Sequence, residues 1–452
     1  MADEIPQIGG KIRQIRRQAK LSQAALAKEL DISASYLNLI EHNQRKLTVP
    51  LLLKLARRFG LDINDLAAND AARLTGDLME VFSAEFLEDI DVTNHDIREL
   101  ANTHPTIARA VVRMHDKYVV GSDQSQVANR EHETEQLASE QVSDFLQASG
   151  NYFDRLEKVA ERIGNDLGPV PLGTEQLVSY LSNVFGVSIR IDTSQDASAI
   201  KYDAARGQLI LPETLPRESR LFAIAKSISR QAATDQVDAL VEDTSFSHDS
   251  VRQLAASALH SYVAGAILMP YSRFLAAAED KRYDVERLAR QFSTSFEQVC
   301  HRLTTLQRPG EVGVPFHLIR TDIAGNISKR FSISGIQIPR HGGACPRWNV
   351  FEAFMQPGRI ITQISEMPDG RKFFCIACTL KKGESRYNGA MRHMSIGLGC
   401  ALSNGHRLIY AEGMDLDSPS MLTHVGTSCR TCPRGDCAVR AFPALVPHQS
   451  SP

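Results

Sequence analysis

The stretch Leu21-Ser22-Gln23-Ala24-Ala25-Leu26-Ala27, followed by Ile32-Ser33-Ala34-Ser35-Tyr36-Leu37-Asn38-Leu39-Ile40-Glu41, decides how the N-terminal part of this chain is read. Ser22 is placed to cap a helix over Gln23 to Leu30, Asp31-Ile32 makes a turn, and Ser33 caps a further helix ending near Glu41. Ala24 and Ala27 are small enough for another helix to approach closely. Ile32, Leu37 and Ile40 face inward, which leaves Ala34, Ser35, Tyr36, Asn38 and Leu39 on an exposed face that fits a DNA major groove. On this reading Ser35, Tyr36 and Asn38 meet base edges. Gln23, Asn43, Gln44, Arg45 and Lys46 hold phosphates, and Ser33 opens the reading helix within the same contact set.

Working outward, Lys11 to Lys20 forms a preceding helix with Ile12 and Ile15 inward and its cations largely outward. Thr48-Val49-Pro50 opens another that stops at Gly60, so residues 8–66 make five short helices. Residues 1–67 hold 11 lysines and arginines against 7 acids, whereas residues 70–100 hold 9 acids against 2 bases. The nucleic-acid signature is therefore local, because the whole chain has a formal net charge of -2. The plain alternative, a five-helix packing module with a solvated cationic face, does not explain the sequence of cap, turn and exposed polar face. This segment resembles the lambda-repressor-like (XRE) helix-turn-helix domain.

With 452 residues the chain has room for about three domains at roughly 150 residues each. Hydrophobic residues are 43% and charged residues 23%, and no apolar run approaches the roughly 18 residues of a membrane helix. Met1-Ala2-Asp3-Glu4 leads into a basic amphipathic stretch instead of an apolar signal, so a soluble, cytoplasmic protein without a membrane partner is expected. Its 8 cysteines are then reduced. Seven lie between Cys345 and Cys437, a density that favours a metal or cluster over disulfides.

The fold class expected is an α+β multidomain chain. Its parts are an all-α helix-turn-helix domain over residues 1–70, a helical acidic segment and linker over 71–140, an α+β middle domain over 141–310 and a β-rich C-terminal domain over 311–452. Gly121 to Glu140 lacks large apolar residues and reads as a linker or mobile helix. Alternating runs near Val187–Ile191, Ala199–Tyr202 and Gln208–Leu211 predict a small antiparallel sheet. Helices are expected at Arg220–Ala233, Ser250–Leu268 and Asp284–Leu306, and Asp322-Ile323-Ala324-Gly325-Asn326 signals a hairpin.

Phe222-Ala223-Ile224-Ala225-Lys226-Ser227-Ile228-Ser229-Arg230 and Ala264-Gly265-Ala266-Ile267-Leu268-Met269-Pro270 resemble the ImmA/IrrE-type metallopeptidase domain. Such a domain needs His-Glu-x-x-His on one helix face, and here Lys226, Ser227 and Arg230 stand at those positions. Leu259-His260-Ser261 occupies the place of an acidic third ligand, and His260 alone reads as a packed or surface histidine. Catalysis is accordingly not expected. Lys226 and Arg230 share a helix face and, with Arg190, Arg220 and Tyr152, are candidates for a phosphorylated ligand, although each reads equally well as an ordinary surface residue.

Cys429-x-x-Cys432-x-x-x-x-Cys437 puts three thiols within nine residues, with Gly426, Pro433 and Gly435 keeping the backbone in turns. Cys345, in Gly342-Gly343-Ala344-Cys345-Pro346-Arg347-Trp348, is the candidate fourth ligand. Cys375-x-x-Cys378 competes, but its strand-like alternation marks both residues as core cysteines. Spacing alone does not separate zinc from an iron–sulfur cluster, and buried unligated thiols remain the plain alternative.

Phe316-His317-Leu318-Ile319-Arg320-Thr321-Asp322, Ala324-Gly325-Asn326-Ile327-Ser328-Lys329-Arg330, Cys345-Pro346-Arg347-Trp348, Pro357-Gly358-Arg359-Ile360 and Cys429-Arg430-Thr431-Cys432 complete one pattern. With the two earlier motifs they resemble the short-chain fatty acyl-CoA-responsive XRE regulators across nearly the full chain. The resemblance implies a transcription factor for propionyl-CoA, methylcitrate or glyoxylate-type genes whose binding to double-stranded operator DNA answers to acyl-CoA or CoA. It also implies a cluster, of the 4Fe-4S type over zinc, at Cys345, Cys429, Cys432 and Cys437. A homodimer is expected, because two recognition helices then enter successive grooves of a pseudo-palindrome. The alternative is an iron–sulfur redox-sensing transcription factor with no CoA effector.

Overall fold

The structure is a computed structural model that describes residues 12–442 apart from positions 14–15, 17–20, 42–44, 46–47, 60–68, 83–91, 123–129, 195–198, 245, 247, 340–342 and 384–390. The chain divides into two compact units, one holding the chain through Ser122 and the other nearly all of the rest.

In the first unit, Ser22 Oγ accepts from the Ala25 N–H at 3.1 Å and opens helix Gln23–Leu30, which ends where Asp31 turns left-handed at φ 61°. Ser33 Oγ accepts from the Tyr36 N–H at 3.0 Å and opens helix Ala34–Glu41. Ile12, Leu26, Ala27, Leu30, Leu37, Ile40, Leu51 and Leu55 form their shared core, the last two from helix Val49–Phe59. The acidic segment folds as helices Asn69–Val81, Asn94–Thr103 and Pro105–Ser122 around Leu74, Leu78, Ile97 and Val112. Thr93 and Asp96 close a reciprocal capping box at the middle helix.

The second unit begins with helix Arg130–Ala148, so the later half of the predicted linker is helical. Helices Asp154–Leu167 and Thr174–Phe185 lead into strands β1 Ser188–Asp192, β2 Lys201–Asp203 and β3 Gln208–Pro212. This sheet is mixed where an antiparallel one was expected: β3 lies in the middle, antiparallel to β2 but parallel to β1. Burial is the reason. Leu209 and Leu211 are buried and demand the central place, so the chain crosses from β1 to the far edge before turning back.

Helices Arg217–Ala232, Thr234–Glu242, Asp249–Leu268 and Tyr271–Asp280 follow. The single helix expected over Asp284–Leu306 is two, Val285–Phe292 and Phe296–Leu303. Ser293 turns left-handed, and Ser295 caps the second helix reciprocally with Gln298, a Ser-x-x-Gln pattern visible in the sequence. At the centre Arg302 and Glu157, 3% and 0% exposed, form a two-pronged ion pair at 2.6 and 3.0 Å. Tyr262 Oη also donates to Glu157, and Arg302 Nε donates to the Met269 carbonyl, so both buried charges have partners.

A two-stranded ribbon, β4 Gln307–Arg308 with β5 Glu311–Val312, precedes the large sheet. Strands β6 Phe316–Asp322, β7 Ile327–Ser332, β8 Ile361–Glu366, β9 Lys372–Gly383, β10 Met391–Ala401 and β11 Leu422–His424 pair in the order β11-β8-β9-β10-β6-β7. The predicted hairpin joins β6 to β7, with the Asp322 carboxylate accepting from the Ala324 and Asn326 N–H groups and Gly325 at φ 88°. One face of the sheet presents Phe316, Leu318, Phe374, Ile376 and Ile396 to the helices, so the predicted middle and C-terminal domains share a single core. The other face carries a separate core around Ile319, Trp348, Val350, Phe373 and Cys375. Among the described residues no single helix is long and apolar enough to cross a membrane.

Candidate functional site

The helix Ala34–Glu41 presents the face the sequence predicts. Ala34, Ser35 and Asn38 are exposed, Tyr36 and Leu39 are half-buried, and Leu37 and Ile40 are in the core. What the sequence missed is Glu41, 2% exposed, held by Arg16 through two bonds of 2.6 and 2.9 Å. Burial alone would raise this carboxyl, but hydrogen bonds from Arg16 and Gln23 and the charges of Arg16 and Arg13 bring it below its ordinary value. Gln23 donates its amide to Asn38 Oδ1 at 3.0 Å and to Glu41 Oε2 at 2.9 Å, so both donors serve the helix–helix joint. Ser33 acts as the cap and Arg45 is exposed, while Asn43, Gln44 and Lys46 lie outside the described residues.

At the former metallopeptidase position two hydrogen bonds join the facing helices. Lys226 Nζ donates to Ser257 Oγ at 2.9 Å, and Ser229 Oγ meets His260 Nδ1 at 3.0 Å. His260 is buried, as expected of a packed histidine, and its burial together with the charges of Arg230 and Lys226 brings it down to about 4. Burial and Arg230 lower Lys226 as well. A dication would meet an ammonium and a guanidinium here and a single imidazole, which is not a zinc site.

The other predicted ligand contacts do not gather around Lys226 and Arg230. Tyr152 Oη accepts from Arg308 Nε at 3.1 Å and donates to Asp154 at 3.0 Å, with its ring against Tyr271. Arg220 donates to the Glu213 and Leu215 carbonyls, and Arg190 lies on β1 near Asp192. The neighbourhood of Lys226 instead holds cations from the sheet. Arg320 (2.6 Å), Lys382 and His301 (3.7 Å) surround Glu297, and Lys329 Nζ lies 3.3 Å from His301. Loss of water, with the charges of Arg320, Lys382 and Lys226, brings the Lys329 amine down to about 8.

Cys345 and the Cys429 loop are brought together across some 80 residues of chain. The Cys345 N–H donates to the Thr427 carbonyl at 3.0 Å, and the Trp348 indole N–H donates to the Gly426 carbonyl at 3.0 Å. Burial raises the Cys345 thiol, and the neighbouring Cys429 and Cys432 raise it further, while backbone N–H groups of Gly426 and Arg347 lower it. Gly426 is small by necessity, because a Cβ there would lie 2.9 Å from Cys432 Sγ. Arg440 donates to the Cys429 and Cys432 carbonyls, and Cys437, half-buried, accepts from the Arg440 N–H. Tetrahedral zinc with Zn–S of about 2.3 Å needs sulfurs about 4 Å apart. Among the described residues only His95, Asp96 and Glu99, all exposed, bring three such ligand atoms within 4.8 Å. Among the described residues no three of these thiols come that close to one another.

On β9, Cys375 and Cys378 are both buried and on opposite faces, as core cysteines. Cys375 shares its face with His317, whose Nε2 lies 3.5 Å from the thiol and whose Nδ1 lies 2.7 Å from Ser334 Oγ. Burial holds His317 neutral, at about 3.

Residues 12–66 match the family model for a helix-turn-helix, residues 183–304 that for an IrrE N-terminal-like domain, and residues 305–450 that for the short-chain fatty acyl coenzyme A regulator, C-terminal. The chain is 40% identical over 453 residues to the HTH-type transcriptional regulator RamB of Mycobacterium tuberculosis, covering 97% of this chain and 94% of the relative. It is 37% identical to PrpR of the same organism (97% and 92% covered) and 33% identical to the propionyl-CoA carboxylase regulator of Cereibacter sphaeroides (97% and 94%). A solved structure of a Mycobacterium tuberculosis transcriptional regulator superposes with a TM-score of 0.65 at 40% identity, over 68% of this chain and 95% of that one.

Proposed function

This chain belongs to the family of short-chain fatty acyl-CoA regulators with a helix-turn-helix, and from that premise we propose that acyl-CoA sets its affinity for an operator that controls short-chain acyl-CoA metabolism. The observation that carries the DNA half is the exposed Ala34, Ser35 and Asn38 face, fixed from below by the buried Glu41–Arg16 pair. Ser35, Tyr36 and Asn38 read bases, Arg45 and its neighbours Asn43, Gln44 and Lys46 hold phosphate, and Gln23 with Ser33 positions the helix. A homodimer places two such helices one DNA turn apart.

Acyl-CoA acts by binding one conformer of the second unit more tightly than another, which is the only way a ligand shifts such an equilibrium. Lys226 and Arg230 are candidates for its phosphates. Peptidase chemistry is not part of this function, because cations replace the ligands such chemistry needs. Cys345, Cys429, Cys432 and Cys437 would hold an iron–sulfur cluster, which supplies one-electron redox chemistry when bound.

The test is operator binding at fixed salt, with DNA from upstream of the protein's own gene and anaerobically purified protein, titrated with acetyl-CoA, propionyl-CoA and free CoA. A change in affinity specific to an acyl-CoA is expected. Equal binding with every ligand overturns the effector assignment. The cysteine loop favours one alternative, a redox sensor without a CoA effector, in which oxidation alone changes operator affinity.

A further inference from the structure

Where the helices of the second unit meet the large sheet, five cations gather with little to neutralise them. Lys226 and Arg230 come from helix Arg217–Ala232, and Arg320, Lys329 and Lys382 come from β6, β7 and β9. The charges of Lys226, Arg320 and Lys382 all act on the Lys329 amine, and that of Arg230 acts on Lys226, so the five form one connected patch. Glu297 is the buried carboxylate among them, and it is already shared by Arg320 at 2.6 Å and by Lys382. Exposed Asp238, on helix Thr234–Glu242, acts on His260 at the margin.

Among the described residues no carboxylate pairs with Lys226, Arg230 or Lys329. The Lys226 amine donates to Ser257, and the Lys329 amine donates to His301 Nε2 at 3.3 Å. That imidazole is brought down to about 4 by burial and by the charge of Lys329, so it is neutral and leaves the amine's charge unanswered. Arg230, Lys329 and Lys382 are exposed, while Lys226 and Arg320 are half-buried. Yet loss of water is the largest cause of the lowered Lys329 amine. A side chain that solvent reaches and protein nonetheless surrounds lines a cleft. Like charges gathered in a cleft focus an attractive field on anions. A lone carboxylate would answer one or two of them, whereas coenzyme A carries a diphosphate and, on its ribose, a phosphomonoester of roughly −1.5 to −2 charge at pH 7.

We propose that Arg320, Lys329 and Lys382 join Lys226 and Arg230 in one polyphosphate site, which recognises the coenzyme through its 3′-phosphate as well as its diphosphate. The assignment rests on the acyl-CoA reading above, keeps Lys226 and Arg230 in their roles and adds three residues from the sheet. Its two sides belong to different family segments, residues 183–304 and 305–450. The ligand therefore favours the arrangement in which both segments reach it.

Binding also moves a proton. The Lys329 amine, brought down to about 8, is raised again when an anion replaces water beside it. Facing it are Arg320 of β6, Lys382 of β9, Lys226 of helix Arg217–Ala232, and Glu297 and His301 of helix Phe296–Leu303. Arg330, next along β7, alternates to the other face and pairs with Glu140. At pH 8 about half of the free protein holds Lys329 neutral, so binding takes up about half a proton, and at pH 6.5 almost none. The phosphomonoester, with its second pKa of about 6, is already ionised at pH 8 and contributes nothing to that uptake.

Full-length protein is titrated by calorimetry at pH 8 with propionyl-CoA and with its 3′-dephospho form, in two buffers of different ionisation enthalpy. Affinity and proton uptake are read together. The dephospho ligand should bind at least about tenfold more weakly, a comparison that needs no variant. Lys329→Gln should weaken propionyl-CoA by about tenfold, narrow the gap between the two ligands and remove the proton uptake. Lys329→Arg should keep the affinity within about threefold but take up no proton, because a guanidinium is charged throughout. Equal losses in the two variants overturn the assignment, since a merely structural lysine would not separate them. If propionyl-CoA alters operator affinity yet binds as tightly without its 3′-phosphate, or to Lys329→Gln, the site fails and the regulator reading stands. If propionyl-CoA neither binds nor alters operator affinity, both fail.

Discussion

The two faces of the six-stranded sheet come from the same strands and do opposite things. Toward the helices, Phe316, Phe374, Ile376 and Cys400 are completely or almost completely buried in a core shared with the middle segment. Toward the other side, His317, Cys375, Gly397 and Gly399 alternate with them, and the two glycines leave room for the Ile319 side chain and the His317 ring. Period-two alternation decides which residues share a face. Side-chain volume then decides whether that face is filled, and at two successive inward positions β10 supplies no side chain at all.

The strongest way to break this contrast is truncation on each face. Phe374→Ala should cost about 3–5 kcal/mol of stability in urea denaturation, whereas Ile338→Ala, half-buried on the far face, should cost less than about 2 kcal/mol. Equal losses would mean that the far face is packed as tightly as the other. Next in size is Gly399→Ala, whose methyl group meets the His317 ring and Cys375 Sγ at 2.8 Å or less. It should destabilise by about 1–3 kcal/mol, and a double variant with His317→Ala should recover part of that loss.

The smallest effect per step is acid sensitivity. His317 is lowered to about 3 by burial, and the unfolded chain binds its proton near the ordinary pKa of about 6.5. Between those values the unfolded state holds more protons than the folded one, so stability is full above about pH 6.5 and falls with pH by about 1.4 kcal/mol per unit. His260, lowered to about 4, adds a loss of the same sign. His317→Asn should flatten the stability–pH slope between pH 7 and 5, and an unchanged slope would show that this imidazole is hydrated.

Much of the fold was legible because its signals are local. Ser22 and Ser33 cap helices with atoms three residues away, and Asp322 folds its hairpin with its own carboxylate. The break at Ser293 was written in Ser295 and Gln298 but is hidden inside an amphipathic pattern that continues across it. The small sheet was misread because alternation marks a strand without giving its neighbour. Of the candidate site, Cys345 with the Cys429 loop was found from cysteine chemistry, whereas Tyr152, Arg190 and Arg220 were chosen by charge and reach, and the fold does not gather them around Lys226.

By itself the sequence determined the helix-turn-helix with its exposed reading face, the loss of the peptidase's metal ligands, the thiol set and the family. Those are properties of neighbouring residues and of residue type. Only the tertiary structure decided that Glu41 and Arg16 anchor the recognition helix, that Lys226 bonds Ser257 and His260 bonds Ser229 across two helices, that sheet and helices share one core, and that His317, Cys375 and Trp348 pack on its far face. Each joins groups far apart in the chain. Such contacts are selected by burial and strand register over the whole fold, because a buried charge or thiol takes whichever partner packing brings within reach.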